Sequence, residues 1–338
     1  MSEEKKLILE MLREGKISAE EAQKLLEAVG SDESRAESRP RRPDRPPESH
    51  SVVGDIFDTI RTSLSNLSFN FDFGDSNRIS LEERFTGHFA EGPVELELHS
   101  RNGSIKIESW NEPSYQLDIV KRVRANTREE AEEIASAYQF AQASGSLLRA
   151  GDFEAKAGGN RISVSMLLRL PRKHGYHGLV KTMNGSIEAV GLDTGRLALS
   201  SMNGSIQLRE VNADEISAQT VNGSLKLDGS LSSVQGSTTN GSVTLVNMAV
   251  SSLNKVETVN GRIQIQLPVR GDIGYSVDAR TTAGSIRTDH PALSVMRDER
   301  RTVGRRLEAR SANWSSAHHL IELKLKSVNG SIKILELE

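Results

Sequence analysis

The dipeptide Asn-Gly occurs at 184, 203, 222, 240, 260 and 329, and its first five copies lie 19, 19, 18 and 20 residues apart. A related Ala283-Gly284 follows 23 residues after Asn260, with Asn329 a further 46 on, spacings that fit one longer coil and then two. One outlying copy stands at Asn102. A period near twenty marks a repeat architecture. Two residues before each Asn or Ala stand Thr182, Ser201, Thr220, Thr238, Thr258, Thr281 and Ser327. Two after each Gly stand Ile187, Ile206, Leu225, Val243, Ile263, Ile286 and Ile332, and polar residues alternate with them. Each repeat therefore holds a strand with one apolar and one wet face.

Two folds accommodate the pattern. In a hairpin array each Asn-Gly is a type I′ turn, with positive φ at both positions. In a β-solenoid it is a corner, and equivalent residues stack about 4.8 Å apart from coil to coil, Asn on Asn and Ile on Ile. Column identity over seven units favours a mainly β fold, a β-solenoid resembling a parallel β-helix, with repeats of about 19 residues. Its structural turns are Asn184-Gly185, Asn203-Gly204, Asn222-Gly223, Asn240-Gly241, Asn260-Gly261 and Asn329-Gly330. Left-handed backbone is expected there, beside a small neighbour. The match of Asn-Gly-Ser to a glycosylation sequon is a by-product of the corner.

Upstream, residues 1–30 read as a helical hairpin. Ile8, Met11 and Leu12 share a face of the first helix, Gly15 ends it, and Ser18 with Glu21 forms a capping box. Ala22, Leu25, Leu26 and Val29 stripe the second. Two such helices bury too little to stand alone, so an oligomerisation role is expected. Residues 31–51 form a Pro/Arg-rich disordered linker. Residues 52–68 carry Val53, Ile56, Phe57, Ile60, Leu64 and Leu67 at helical spacing, an amphipathic helix suited to cover an open end of the β-structure. The β-strand-repeat domain spans 69–338, beginning with the alternating strand SFNFDF and including one helix at 127–138, capped by Thr127 with Glu130.

Composition narrows the chemistry. Lys plus Arg number 43 against 46 for Asp plus Glu, and aromatics are 4%, so neither a basic footprint nor stacking platforms for nucleic acid are present. The chain has no cysteine, which excludes disulfides and thiolate chemistry. The charged start lacks the features of a secretory signal and no apolar run is long enough to span a membrane, giving a cytoplasmic address, peripheral at the membrane, as the expectation. His174 and His177 lie three apart without a third ligand, and His318-His319 would point to opposite faces of a strand. Asp193, Asp214 and Asp228 fall at different offsets from their Asn, so they build no glycosidase-like pair. The run RDERRTVGRR at 297–306 reads as an exposed excursion between coils or a contact for an anionic surface. No catalytic, metal or cofactor site is expected.

The repeats T-x-N-G-S-I, the stretch LRLPRKHGYHGLVKTMNGSI and the terminal SVNGSIKI resemble the bacterial "putative adhesin" β-strand-repeat family. The start, ILEMLREGKISAEEAQKLLEAVG, resembles the short helical (SHOCT-like) module of its YvlB/LiaX-like branch. The resemblance implies envelope-stress biology in Gram-positive bacteria and a binding or sensing role without enzymatic activity. The expectation is a non-enzymatic scaffold, homo-oligomeric through its N-terminal helices, that binds through its repeat face to membrane-associated stress-response proteins or an anionic membrane surface. A carbohydrate-active β-helix enzyme and a surface adhesin are the alternatives.

Overall fold

The structure, a computed structural model, describes residues 78–136, 141–151, 161–300 and 304–337. The readings for 1–30, 31–51, 52–68 and the strand SFNFDF lie outside the described residues. The strands are β1 (Arg78–Gly87), β2 (Val94–Asn102), β3 (Ile105–Trp110), β4 (Tyr115–Arg124), β5 (Ala141–Ser144), β6 (Leu147–Gly151), β7 (Ile162–Pro171) and β8 (Tyr176–Asn184). They continue with β9 (Ile187–Val190), β10 (Asp193–Ser201), β11 (Ile206–Arg209), β12 (Val211–Asn222), β13 (Leu225–Asn240), β14 (Val243–Asn247) and β15 (Ser252–Asn260). The last are β16 (Ile263–Leu267), β17 (Ile273–Ala283), β18 (Ile286–Thr288), β19 (Ser294–Arg300), β20 (Arg305–Arg310), β21 (His319–Asn329) and β22 (Ile332–Glu336). The one helix among the described residues, α1 (Arg128–Ser136), is capped by the Thr127 hydroxyl, which accepts from Glu130 N at 3.2 Å, while the Glu130 carboxylate accepts from Asn126 N.

Two parallel ladders meet at the Asn-Gly corners. Before the corner the order is β6, β2, β8, β10, β12, β13, β15, β21, β17. After it the order is β7, β3, β9, β11, β13, β14, β16, β22, β18. The long β13 serves both ladders, one half in each. Strands flanking one Asn-Gly pair with their counterparts one coil away, which overturns the hairpin-array alternative.

The fold is mainly β, as the alternation predicts, but the coils do not follow one another in simple succession. Asn102 is no outlier, because β2 and β3 lie directly against β8 and β9, with Asn102 opposite Asn184. At the other end β21 and β22, last in the chain, insert between the Asn260 coil and the Ala283 coil. Antiparallel strands extend both ends: β5 beyond β6, β4 and β1 beyond β7, and β20 and β19 beyond β17. The basic run at 297–300 and 305–306 is an excursion between β18 and β21 built as a strand pair that prolongs the sheet, with β19 exposed.

The core lies between the ladders. Ile105, Ile187, Ile206, Leu225, Val243, Ile263, Ile332 and Ile286 form one inward column, fully buried. Each buried aliphatic side chain contributes roughly 1.5–3 kcal/mol. At the corner, Thr182 Oγ1 donates to Gly103 O at 3.0 Å, Ser201 Oγ to Gly185 O at 2.9 Å, and Thr220 Oγ1 to Gly204 O at 2.8 Å. Thr238, Thr258, Ser327 and Thr281 repeat the bond on Gly223, Gly241, Gly261 and Gly330. That bond is what the Thr/Ser column does.

The corner glycines correct an expectation. Apart from Gly103, none of them adopts the left-handed region. They are required instead by close approach: a Cβ on Gly204 would lie 1.9 Å from Gly185 O, and one on Gly223 2.1 Å from Gly204 O. Left-handed backbone is used at the opposite bend, at Gly191 (φ 63°) and, one coil on, at Glu210 (φ 53°). Glu210 is the one non-glycine in that conformation among the described residues.

Two substitutions test this. Gly204→Ala should destabilise by about 2–3 kcal/mol through overpacking against backbone, whereas Gly271→Ala, with open space around it, should be near neutral. Glu210→Gly should be neutral or stabilise by up to about 1 kcal/mol, since the left-handed strain is relieved against a greater loss of chain entropy. Urea midpoints of the three variants report all of this, and a destabilised Glu210→Gly would show that the Glu side chain matters more than its backbone.

Candidate functional site

The predicted turn residues do come together, as one ladder. Asn184 Nδ2 donates to Asn102 Oδ1 at 2.7 Å, Asn203 to Asn184 at 2.8 Å, and Asn222 to Asn203 at 2.8 Å. The chain of amides continues with Asn240 to Asn222 at 2.9 Å, Asn260 to Asn240 at 2.8 Å, and Asn329 to Asn260 at 2.9 Å. Seven side chains thus run for about 29 Å along one edge at strand spacing. Ala283, in register with Asn329, has no amide to extend it. The residue after each glycine, serine in every coil but that of Gly261, where it is Arg262, lines the neighbouring row, and there the Ser104 and Ser186 hydroxyls lie 3.1 Å apart.

Between the buried Thr/Ser column and the Asn ladder sits one residue per coil whose side chain faces outward. Met183, Met202, Val221 and Val259 occupy this position and are exposed by 43%, 47%, 42% and 39%. Thr239 stands between Val221 and Val259 in the row, and Arg101, the half-buried Val328 and Thr282 complete it. Single exposed apolar residues are ordinary, but Met183, Met202 and Val221 on successive coils, held in register beside a row of amides, form one surface feature. In the sequence this row is the variable letter of T-x-N-G, which has no fixed identity.

The remaining polar candidates are accounted for individually. His174 is buried, its Nδ1 3.2 Å from Gly92 O and its ring edge-on to Phe89 at 5.8 Å, while His177 is exposed on the outer face opposite Glu95 and Arg196. His319 lies 3.3 Å from the Ser251 hydroxyl. Among the described residues no three His, Asp or Glu side chains are placed to hold a metal ion. Asp193 accepts from Asn212 Nδ2 at 2.7 Å, and register sets Asp228 opposite Val246, so the acids form no column.

Charges are mostly compensated in pairs. Asp298 holds Arg305 at 2.8 Å, Glu299 pairs with Arg297, and Asp278 binds Arg280 at 2.6 Å and Arg306 at 3.2 Å. The basic run thus carries its own counter-charges. Hydrogen bonding from Arg280, then from Arg306, outweighs burial and holds the Asp278 carboxyl below its ordinary value. On the outer face of β1, β3, β4 and β7, Arg84 binds Asp118 at 2.6 Å, and Arg169 bridges Asp118 (3.4 Å) and Glu108 (2.8 Å). Burial acts to raise the Glu108 pKa, but bonds from Lys106 and Arg169 leave it lowered.

The ladder should have a graded energetic signature. Asn222→Ala removes two side-chain amide bonds and Asn329→Ala removes the one to Asn260. With exposed bonds at the low end of roughly 0.5–1.5 kcal/mol each, the expected losses are about 1 and about 0.5 kcal/mol in denaturant unfolding. Equal losses would mean that the amides do not act as a ladder.

Comparison with known proteins bears on the same segments. Residues 3–34 match the SHOCT-like domain and residues 95–335 match the Toastrack DUF4097 family. No curated protein matches the chain. Among solved structures, a "putative cell adhesion protein" from Clostridium sporogenes is 13% identical, with 77% of this chain and 100% of that one covered and a TM-score of 0.36. A "putative adhesin" from Bacteroides fragilis is 12% identical, with 76% and 97% covered and a TM-score of 0.37. A "putative lipid binding protein" from Parabacteroides distasonis is 11% identical, with 76% and 97% covered and a TM-score of 0.32. With most of its length matched by that one family, from the strand that carries Asn102 to the strand that follows Asn329, the chain belongs to the Toastrack DUF4097 family.

Proposed function

We propose that the protein is a non-enzymatic binding protein in which a β-solenoid of about 19-residue coils displays a repeated, adhesin-like surface at the bacterial envelope. The observation that carries the reading is the in-register column Met183, Met202, Val221 and Val259 beside the Asn ladder. Hydrogen bonds within the stack engage the corner amides and hydroxyls, so the residue between them is left free to vary and to contact a ligand. An apolar row bordered by amides suits an extended partner that offers apolar groups with hydrogen-bonding groups alongside. Methionine adds adaptability, since its flexible thioether tolerates irregular partners. Self-association through the helices at 1–30 would multiply such a surface, and linked weak sites can gain 10²–10⁴-fold in avidity.

Two measurements test this reading. Labelled full-length protein should co-sediment with purified Gram-positive cell-wall sacculi, and a Met183→Glu, Met202→Glu, Val221→Glu variant with an unchanged melting curve should bind at least tenfold more weakly. Undiminished binding by the variant, or none by the wild type, would remove the surface reading. Light scattering of the full chain at micromolar concentration should give a mass above that of one chain, reduced by Leu25→Asp with Leu26→Asp. A monomeric wild type would end the avidity proposal.

A further inference from the structure

The row that follows the corner glycines is broken at one coil, where Arg262 stands between Ser242 and Ser331. The backbone there keeps the pairing of the stack: Arg262 O accepts from Val243 N at 2.8 Å, and Ser331 O accepts from Ile263 N at 2.9 Å. Ile263 turns into the core, so strand alternation turns Arg262 to solvent, and it is exposed. A serine would lie against its neighbours as Ser104 lies against Ser186, 3.1 Å away. The arginine gives up that contact and sets a guanidinium on the outer face instead.

Around it the coils form an open concavity of about 480 Å³, walled by Ser242, Thr244, Arg262, Gln264, Asn329 and Ser331. That volume is within the range of sites that take small ligands, roughly 300–1,000 Å³. Asn329 is engaged with Asn260 at 2.9 Å. Among the described residues, the side chains of Ser242, Thr244, Arg262, Gln264 and Ser331 make no hydrogen bond or ion pair within the stack. Outward arginines elsewhere do meet acids: Arg209 binds Glu188, and Arg196 binds Glu215 at 2.8 Å. Register carries positive charge onward from the concavity, with Lys333 opposite Gln264 and Arg287 opposite Lys333. Asp289, 3.8 Å from Lys333, offsets part of it.

We propose that this concavity binds an anionic group on a sugar chain, with Arg262 taking the oxyanion and Ser242, Thr244, Gln264 and Ser331 the neighbouring hydroxyls. A guanidinium fork matches the oxygens of a carboxylate or a phosphate in pairs. Hydroxyl and amide side chains both donate and accept, as sugar hydroxyls do. Val243, the apolar side chain of the lining, is buried, so the wall offers nothing to an acyl chain or an apolar peptide anchor. Lys333 and Arg287 lie one and two coils further on, so a chain bearing several charges can cross β16, β22 and β18. The anion can be a carboxylate or a phosphate, and the chemistry of the site is common to both. The Asn ladder separates the site from the Met/Val column, and neither reading depends on the other.

The test is calorimetry on the full chain with carboxymethyl dextran and phosphorylated dextran, against unmodified dextran and poly-L-glutamate. The variants are Arg262→Ser, Arg262→Lys and the control Lys173→Ser, which removes an exposed charge between β7 and β8. Arg262→Ser restores the serine of the other coils, so its melting curve should match the wild type and lost binding is not misfolding. The wild type should bind a charged dextran in a salt-sensitive way, and whichever of the two binds more tightly identifies the anion. Arg262→Ser should weaken that binding by about tenfold, the worth of one charge-assisted contact. Arg262→Lys, which keeps the charge and loses the fork, should fall between the two, with Lys173→Ser unchanged. The proposal is overturned if neither charged dextran binds, if unmodified dextran binds equally, or if Arg262→Ser binds as the wild type does. Equal loss in Lys173→Ser would reduce the effect to net charge, and equally tight binding of poly-L-glutamate would remove the sugar hydroxyls from the site; either result ends the proposal.

Discussion

The arrangement depends on how closely one coil lies on the next at the Asn-Gly corner. There the glycine carbonyl of one coil meets the glycine backbone of the next at a distance that leaves no room for Cβ, and it accepts a hydroxyl from the Thr/Ser column. The hydroxyl satisfies a part-buried acceptor that the close approach would otherwise shield from solvent. Glycine and threonine are thus two halves of one contact. With that contact in place, register follows for every other column: Ile on Ile within, Asn on Asn along the edge, and Met or Val outside.

The same contact explains what the sequence could and could not convey. Period, apolar columns and the amide ladder were legible because each is written once per coil. The reason for the glycine was not, since Asn-Gly serves left-handed turns and close-packed corners equally well, and only coordinates distinguish them. Glu210 adopts the left-handed conformation that Gly191 adopts one coil earlier, and nothing about a glutamate announces it. Coil order was also hidden. Every corner is built to accept every other, so spacing alone cannot say that Asn102 lies against Asn184 or that Asn329 lies against Asn260. In the basic run at 297–300 and 305–306, the acids within it and Asp278 on the neighbouring strand are partners in space that spacing along the chain does not assign.

Placing β2–β3 and β21–β22 one coil in from the ends has a physical consequence. Each is paired on both sides, so neither presents a free edge to solvent or to another chain. The outer positions go to β6, β7, β17 and β18, and antiparallel strands extend beyond β6, β7 and β17. The arrangement raises the sequence separation of the terminal contacts, which slows their formation relative to the adjacent central coils. The central coils therefore offer the template on which both ends dock.

Where a lattice fixes some positions, it also defines which are free. The Thr/Ser, Gly and inward aliphatic positions are each constrained by a contact in the next coil, and the Asn position by its amide neighbours. The residue between Thr/Ser and Asn is constrained by none of these, and it varies from coil to coil, as Arg101, Met183, Met202, Val221, Thr239, Val259, Val328 and Thr282. A stack of this kind can change what it binds by altering one letter per coil without disturbing its own hydrogen bonding. Recognition on such a scaffold therefore belongs at the positions where the repeat has no preference, and stability at those where it has one.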